Sequence, residues 1–361
     1  MKITDVKCYV VPRVSQTPSF HWRQGLVSGS RKGSISHAGI LRVETDAGLI
    51  GHASGGNGYA LAEATDNVFK GEYTGKDPLL TEYLWQRMWE LHRSGIKILG
   101  PMDIACWDIK SQAAGLPLFK LLGGNGPRVP AYASTVTWDT MEEYERHIKE
   151  CMDEGFVAFK LHATADPKWD AQLSQNLRRW TGDDADLMFD ASAGWDYVTS
   201  LWFGRVLEDA GFLWYEEPMR EYDLPSYAEL CAALDIPILG AETSEGVHWN
   251  VATWIQQRAL DMVRTNVNSK AGYTGALKIA HLAEAHGMRA QVHGMGWHNL
   301  QLCAAISNND YYEQLVISTE QIRGLKDMGP LSVVEGCVSA SEEPGAGPQP
   351  DWEEIRQEIF L

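Results

Sequence analysis

DLMFD, residues 186–190, is a short apolar run of β type that ends in a carboxylate, and the same pattern returns in FLWYE (212–216) and IPILGAE (236–242). The terminal acids are 26 residues apart in both steps, 190 to 216 and 216 to 242. Equal spacing over consecutive strand-and-helix units predicts that the three carboxylates stand side by side at one edge of a parallel sheet.

Similar runs occur eight times from about residue 129 onward, and each is followed by a helical segment. Eight such units, spaced by about 25 to 30 residues, are typical of a (β/α) barrel. We therefore predict an α/β fold, a modified TIM barrel. The eight predicted strands are 129–134, 156–162, 186–190, 212–216, 236–242, 260–266, 288–293 and 311–316.

The chain before the barrel, residues 1–125, has the pattern of an α+β domain. It contains a polar loop at 15–32 that is too long for a simple connector and is typical of a lid. We place the barrel at 126–323, and we expect the irregular segment 324–361 to pack back on the N-terminal domain. The elements predicted in the first domain are a strand near 2–11, a hairpin of 38–45 with 49–54, and helices near 78–91 and 101–114.

Composition excludes several classes of partner. The formal net charge of −17 repels nucleic acid and anionic membranes, because both are bound through clustered Lys and Arg. No stretch approaches the roughly 20 apolar residues of a membrane span. The N-terminal run predicts a strand rather than a signal peptide, and the six cysteines form no CxxC pair, so we expect a cytoplasmic protein. The same charge disfavours an anionic small ligand unless local cations or a metal attract it.

Asp190, Glu216 and Glu242 predict a metal site. Three clustered carboxylates repel one another unless a cation neutralises them, and hard oxygen ligands favour Mg²⁺. The alternative is that they are unrelated acids in loops or salt bridges. The even spacing favours the metal.

Four sequence motifs together resemble the mandelate racemase branch of the enolase superfamily: DIACWDIKSQAAGLPLFKLLGG (103–124), MFDASA (188–193), WYEEP (214–218) and GAE (240–242). The resemblance covers essentially the whole chain. It implies an N-terminal capping domain over a modified barrel, and one Mg²⁺ per subunit held by the three carboxylates. It also implies abstraction of a proton α to a carboxylate and a homo-oligomeric assembly.

The second strand carries Lys160 and His162 where the commonest family pattern is Lys-x-Lys. Residues two apart in a strand share a face, so both side chains point towards the barrel axis or its mouth. Lys160 matches the first lysine, which stabilises negative charge on the substrate. His162 replaces the second lysine, the usual base, and the alternative is an inert residue at the rim.

The resemblance implies further catalytic residues on the last three strands. His293 ends the seventh strand, where the family has a catalytic histidine, and Asn266 stands where the family has the acid that orients it. An amide can hold the ring but cannot raise its pKa by charge. Glu313 matches an acid that donates a hydrogen bond to the substrate carboxylate, which requires a raised pKa.

Four other residues are candidates for binding substrate. Ser192 occupies a position that resembles a contact with a substrate hydroxyl, and Arg264 is predicted on the same strand face as Asn266. His21 and Arg23 lie in the lid, from which they could bind distal hydroxyls or a second carboxylate.

The sequence favours a hydro-lyase, an acid-sugar dehydratase that eliminates the C3 hydroxyl after loss of the C2 proton. Two histidines favour this reaction because histidine is a better acid than lysine near neutral pH. A racemase or epimerase, or a cycloisomerase of a sugar lactone or anhydro-sugar acid, would use the same enediolate. A barrel that binds metal without catalysis is a further alternative.

Overall fold

The computed structural model describes residues 1–15, 20–23, 26–28, 32–91 and 96–357. The N-terminal domain combines a three-stranded antiparallel sheet with flanking helices, and the strand Ile35–Thr45 lies in the middle of the sheet between Ile3–Val14 and Ile50–Gly55. Its elements are β1 (Ile3–Val14), β2 (Phe20–Arg23), β3 (Leu26–Ser28), β4 (Ile35–Thr45), β5 (Ile50–Gly55), α1 (Gly58–Ala64), α2 (Lys70–Tyr73), α3 (Thr81–Leu91), α4 (Ile96–Ala114) and α5 (Leu118–Leu121). The predicted lid, 15–32, lies largely outside the described residues, except that β2 and β3 within it pair antiparallel.

The second domain alternates strands and helices eight times. Its elements are β6 (Arg128–Thr135), α6 (Met141–Asp153), β7 (Ala158–His162), α7 (Pro167–Thr181), β8 (Asp186–Asp190), α8 (Tyr197–Asp209), β9 (Trp214–Glu216), α9 (Leu224–Ala233), β10 (Ile238–Gly240), α10 (His248–Gln256), β11 (Met262–Thr265), α11 (Gly272–Ala285), β12 (Ala290–Val292), α12 (Trp297–Ala305), β13 (Tyr312–Val316) and α13 (Thr319–Gly324). The predicted (β/α) barrel with an N-terminal α+β domain is confirmed.

The strands pair in parallel and in sequence order from β6 to β12, and β13 returns to pair with β6. Within residues 96–357, no ladder of backbone hydrogen bonds joins β12 to β13. The loop before β13 bridges them instead: Ala290 N donates to Asn308 O at 2.8 Å, and Val292 N donates to Asn309 Oδ1 at 2.9 Å. Asp310 adds to this seam, because it is bonded by Arg289 and by Gln291. Bonds from the loop 308–310 thus replace the ladder between the seventh and eighth strands.

The C-terminal segment contacts both domains. Its elements are β14 (Val333–Val334), β15 (Cys337–Ser339) and α14 (Trp352–Gln357). Strand β15 pairs antiparallel with the start of β6, which the neighbouring parallel strands leave unpaired. Farther on, Gly345 N and Ala346 N donate to Ser111 Oγ and Asp108 Oδ1 of α4 at 3.0 and 2.9 Å. The segment thus packs on the capping domain only in its later part, and its hairpin covers the barrel.

Helix α4 of the capping domain packs against the barrel. Asp103 accepts hydrogen bonds from the backbone N and the hydroxyl of Thr274, at 2.9 and 2.6 Å. Thr274 lies in the first turn of α11, so Asp103 caps a barrel helix whose N–H groups would otherwise lack partners. The fit is tight, because a Cβ on Gly272 would lie 2.3 Å from Asp103 Oδ2. The capping domain is therefore attached to the barrel at the start of α11, the helix that follows the sixth strand, β11.

The structure contains no helix, within its described residues, that is both long and apolar enough to cross a membrane.

We predict that Gly51→Ala destabilises the capping domain. A Cβ on Gly51 would lie 2.1 Å from Ala105 O of α4, so the helix must move away from β5. We expect a loss of about 1–3 kcal/mol in the free energy of unfolding, measured by denaturant titration. Gly56→Ala is the matched control, because a Cβ there meets nothing within 4 Å. Equal stability of the two variants would contradict the prediction.

Candidate active site

The three predicted metal ligands lie at the C-terminal ends of neighbouring strands. Asp190 ends β8 and Glu216 ends β9, and the two residues are paired in the parallel ladder. Glu242 follows β10 by two residues. The chain turns sharply at these ends, because Glu217 and Ala241 have left-handed backbones with φ of 42° and 69°. Such strain in residues other than glycine is concentrated at functional sites.

A buried arginine holds Glu216. Arg264 Nε and Nη2 donate to the two oxygens of Glu216 at 2.5 and 2.7 Å, and both residues are fully buried. The remaining donors reach Tyr132 OH at 2.9 Å and Val292 O at 3.1 Å. The predicted contact of Arg264 with substrate finds no support here, because its guanidinium is committed to protein acceptors. Burial alone would raise the pKa of Glu216, but Arg264 and Lys160 hold it far below its usual range.

Lys160 is the second buried cation of the site. Its Nζ lies 3.1 Å from Glu216 Oε2, 2.8 Å from Glu313 Oε1 and 3.7 Å from Asp190 Oδ2. The carboxylates outweigh the cost of burial and raise the pKa of Lys160 well above its usual value. Lys160 is therefore positively charged, and its ammonium lies among carboxylates from three different strands.

The segment 242–244 is held by two residues that were not predicted from the sequence. Glu217 Oε1 accepts a hydrogen bond from Glu242 N at 3.1 Å, and Glu217 Oε2 accepts one from the Thr243 hydroxyl. Lys270, 1% exposed, donates to Ser244 O at 2.8 Å. Glu217 directly follows the predicted ligand Glu216, and this position could have indicated that it belongs to the site. Nothing in the sequence indicated that Lys270 is buried.

His162 lies beside Asp190. Its Nδ1 is 2.7 Å from Thr135 O, which favours a proton on Nδ1, and its Nε2 is 3.5 Å from Asp190 Oδ2. Burial and the charge of Lys160 lower the pKa of His162 to about 4. The imidazole is thus neutral near pH 7.

His293 has the opposite environment. Its Nδ1 lies 3.0 Å from Glu242 Oε2 and 3.2 Å from Glu313 Oε2. Burial alone would lower its pKa, but the two carboxylates raise it to about 10. The predicted partner, Asn266, does not hold the ring, because its amide is committed to Ser269 Oγ and Ser269 N, both at 2.7 Å. A local turn has taken the amide, as short polar side chains commonly do.

Glu313 is an ionised acceptor rather than the predicted donor. It accepts hydrogen bonds from Ser134 Oγ at 2.9 Å and from Gly294 N at 2.7 Å, and it pairs with Lys160. Burial would raise the pKa of Glu313, but Lys160 and His293 lower it well below its usual value. The raised pKa expected from the sequence does not take account of these two cations.

Ser192 is engaged with Asp190: its backbone N and hydroxyl donate to Asp190 Oδ1 at 2.7 and 3.1 Å. The described contacts of Ser192 thus orient a predicted metal ligand. The side chains of His21 and Arg23 lie outside the described part of the structure, so their predicted contacts with substrate stay predictions.

A cavity of about 740 Å³ opens next to Glu242 and His293, between the capping domain and the barrel. Its barrel side includes Glu242, His293 and Asn266. Its capping side includes Ser54, Asn57 and Lys97. A volume of this size is typical of sites for small ligands.

The carboxylates fit a hard divalent cation. One ligand atom each from Glu216, Glu242 and His293 lie within 4.8 Å of one another. Glu242 Oε2 is buried, and among the described residues its contact with His293 Nδ1 at 3.0 Å lacks the geometry of a hydrogen bond. Asp190 adjoins this group, and burial together with the charge of Glu216 raises its pKa to about 8. The two buried cations thus leave the carboxylates short of positive charge, which a metal would supply.

We predict that Arg264→Met makes the fold dependent on metal. Removing the guanidinium leaves the buried Glu216 with Lys160 as its remaining cation, and breaking a buried pair costs about 3–5 kcal/mol. We expect a lower melting temperature in chelator and a larger rise on adding Mg²⁺ than in the wild type, with partial recovery in Arg264→Lys. Arg323→Met is the control, because its pair with Glu150 is 68% exposed at the arginine. An Arg264→Met protein that melts like the wild type in chelator would contradict this.

Known proteins resemble both domains. Residues 31–123 match the model "Mandelate racemase / muconate lactonizing enzyme, N-terminal domain", and residues 143–355 match "Enolase C-terminal domain-like". The 3,6-anhydro-alpha-L-galactonate cycloisomerase of Streptomyces coelicolor is 29% identical over 327 residues, which are 87% of this chain and 89% of that protein. The L-talarate/galactarate dehydratase of Salmonella typhimurium is 33% identical over 266 residues, 70% of this chain and 65% of that protein.

A similar solved structure is D-glucarate dehydratase from Agrobacterium tumefaciens complexed with magnesium. It has a TM-score of 0.89 and 31% identity, and the match covers 100% of both chains. The family models, the barrel and the carboxylates at its strand ends all agree. The chain belongs to the mandelate racemase/muconate lactonizing enzyme family, with the enolase-like C-terminal domain.

Proposed function

We propose that this chain is a Mg²⁺-dependent acid-sugar dehydratase that converts a sugar acid to a 2-keto-3-deoxy acid. The observation that carries the proposal is the arrangement of Lys160, His162 and His293 around three carboxylates at one end of the barrel. Lys160 is shared by acids from three strands, and each histidine lies beside a different one of the proposed ligands. This set can both remove and deliver a proton next to a substrate carboxylate.

Asp190, Glu216 and Glu242 would hold the Mg²⁺. A proton next to a carboxylate is weakly acidic, because its removal places a second negative charge on the carboxylate oxygens. Bound Mg²⁺ supplies Lewis-acid stabilisation of that charge. Lys160 adds a fixed positive charge in a region without water competition, where electrostatic stabilisation is strongest.

The two histidines would move the protons. One takes the C2 proton, and the other gives a proton to the C3 hydroxyl as the C3–O bond breaks and water leaves. The enol product then tautomerises to the 2-keto acid. The contact of His162 Nδ1 with Thr135 O directs its Nε2 towards the carboxylates. His293 lies between Glu242 and Glu313, which favour its protonated form.

The runner-up is an isomerase. A cycloisomerase of a sugar lactone or anhydro-sugar acid, or a racemase or epimerase, would start with the same proton abstraction. The relatives described above include a cycloisomerase as well as dehydratases, and the residues around the metal site suit either reaction. The expected homo-oligomer and a role in sugar-acid catabolism belong to the same proposal.

The reaction is tested with a panel of aldonates, aldarates and their lactones. We expect a 2-keto acid, detected with semicarbazide, in the presence of Mg²⁺ and none after chelation. Inverted configuration or ring opening without a keto acid would replace the dehydratase with an isomerase. Binding of an acid without turnover would indicate a protein that does not catalyse.

The roles of the histidines are tested with His162→Asn and His293→Asn. We expect each variant to lose at least about 100-fold in kcat, the usual contribution of a general acid or base. The variant that lacks the base should also stop exchanging the C2 proton in D₂O, whereas the variant that lacks the acid should keep exchange without elimination. Full turnover by both variants would sink the model of two histidines.

A further inference from the structure

Lys97 of the capping domain lies over the loop that follows the sixth strand. Gly100, one helical turn farther along α4, packs so closely that a Cβ there would lie 3.1 Å from Val267 O and 3.4 Å from Asn268 O. This contact seats the start of α4 on the loop 266–269. Lys97, Asn268 and Ser269 accordingly line one flank of the cavity above Glu242 and His293.

Lys97 has no counter-charge among the described residues. Within the part of the chain that the structure describes, its ammonium makes no ion pair or hydrogen bond, and its side chain is exposed. The described lining holds three titratable groups, and the other two, Glu242 and His293, belong to the catalytic end. This lysine faces the cavity in a chain with a net charge of −17, in which acids outnumber Lys and Arg by 48 to 31.

The surroundings of Lys97 suit an anion. Asn268 lines the same cavity with an amide that has no partner among the described residues, and Ser269 adds a hydroxyl. The ammonium of the nearby Lys270 is buried and faces the carboxylates of Glu217 and Glu242, so it is not free to meet a ligand. The positive charge that this flank offers is therefore that of Lys97, with neutral hydrogen-bonding groups from Asn268 and Ser269.

One substrate carboxylate is expected to bind at the catalytic end of the cavity. Lys160 and the proposed metal lie there, on the strand ends, whereas Lys97 comes from the opposite domain. A ligand that spans the cavity would thus meet positive charge at both ends. A monocarboxylate would leave Lys97 facing hydroxyl groups only.

We propose that Lys97 forms a subsite for a second, distal carboxylate, so that the preferred substrate is a dicarboxylic sugar acid rather than a monocarboxylic one. The inference rests on the proposed function, because it takes the first carboxylate to be bound at the metal end. Electrostatic attraction at this mouth would also offset the repulsion of a dianion by the acidic protein.

The test compares aldonate and aldarate pairs of the same configuration: gluconate with glucarate, galactonate with galactarate, and mannonate with mannarate. Binding is measured by calorimetry with Mg²⁺, and KM and kcat are measured for each acid that turns over. We expect the wild type to prefer one diacid over its monoacid. In Lys97→Met that preference should fall about tenfold, through KM rather than kcat, and Lys97→Arg should retain most of it.

Lys326→Met is the control, because Lys326 is exposed and does not line the cavity. Increasing salt should reduce the preference in the wild type and in Lys326→Met more than in Lys97→Met. Turnover with a preference that Lys97→Met leaves unchanged would overturn the subsite and leave the dehydratase standing. A diacid preference in binding that depends on Lys97, without turnover of any acid, would support the subsite and overturn the dehydratase. No diacid preference in any wild-type pair would overturn the subsite.

Discussion

The site depends on the ion pair between Glu216 and Arg264. A carboxylate with no exposed surface at the axis of a barrel is costly unless cations and hydrogen-bond donors surround it. Arg264 supplies two donors from the sixth strand, and Lys160 supplies a third from the second. These contacts fix Glu216 in its charged form and tie three strands together at the level where chemistry is proposed. Asp190 and Glu242 then stand on either side of a rigid centre.

The strand ends could be predicted because a parallel barrel repeats. The spacing of the apolar runs placed Asp190 and Glu216 on adjacent strands, and the ladder pairs them directly. The alternation of side chains along a strand likewise placed Lys160 and His162 on one face. These predictions need only local periodicity and the order of the strands.

The partners of individual side chains could not be predicted in this way. Asn266 follows its strand as expected, but a turn within three residues competes for its amide and leaves His293 to the carboxylates. The protonation of Glu313 was wrongly expected, because it depends on cations from strands that are distant in sequence. Arg264 was assigned to substrate for a similar reason: strand alternation shows that it points inward, but not that Glu216 takes its donors first.

The seam of the barrel has a consequence for its motions. His293 follows the seventh strand and Glu313 lies on the eighth. Their contact therefore crosses the boundary where, among residues 96–357, bonds from the loop 308–310 replace a backbone ladder. Every other pair of neighbouring barrel strands is joined by a ladder of backbone hydrogen bonds. We therefore expect the separation of these two side chains to change more easily than the other distances between neighbouring strand ends. A ligand that altered the contact between this acid and its histidine would not have to break a backbone ladder.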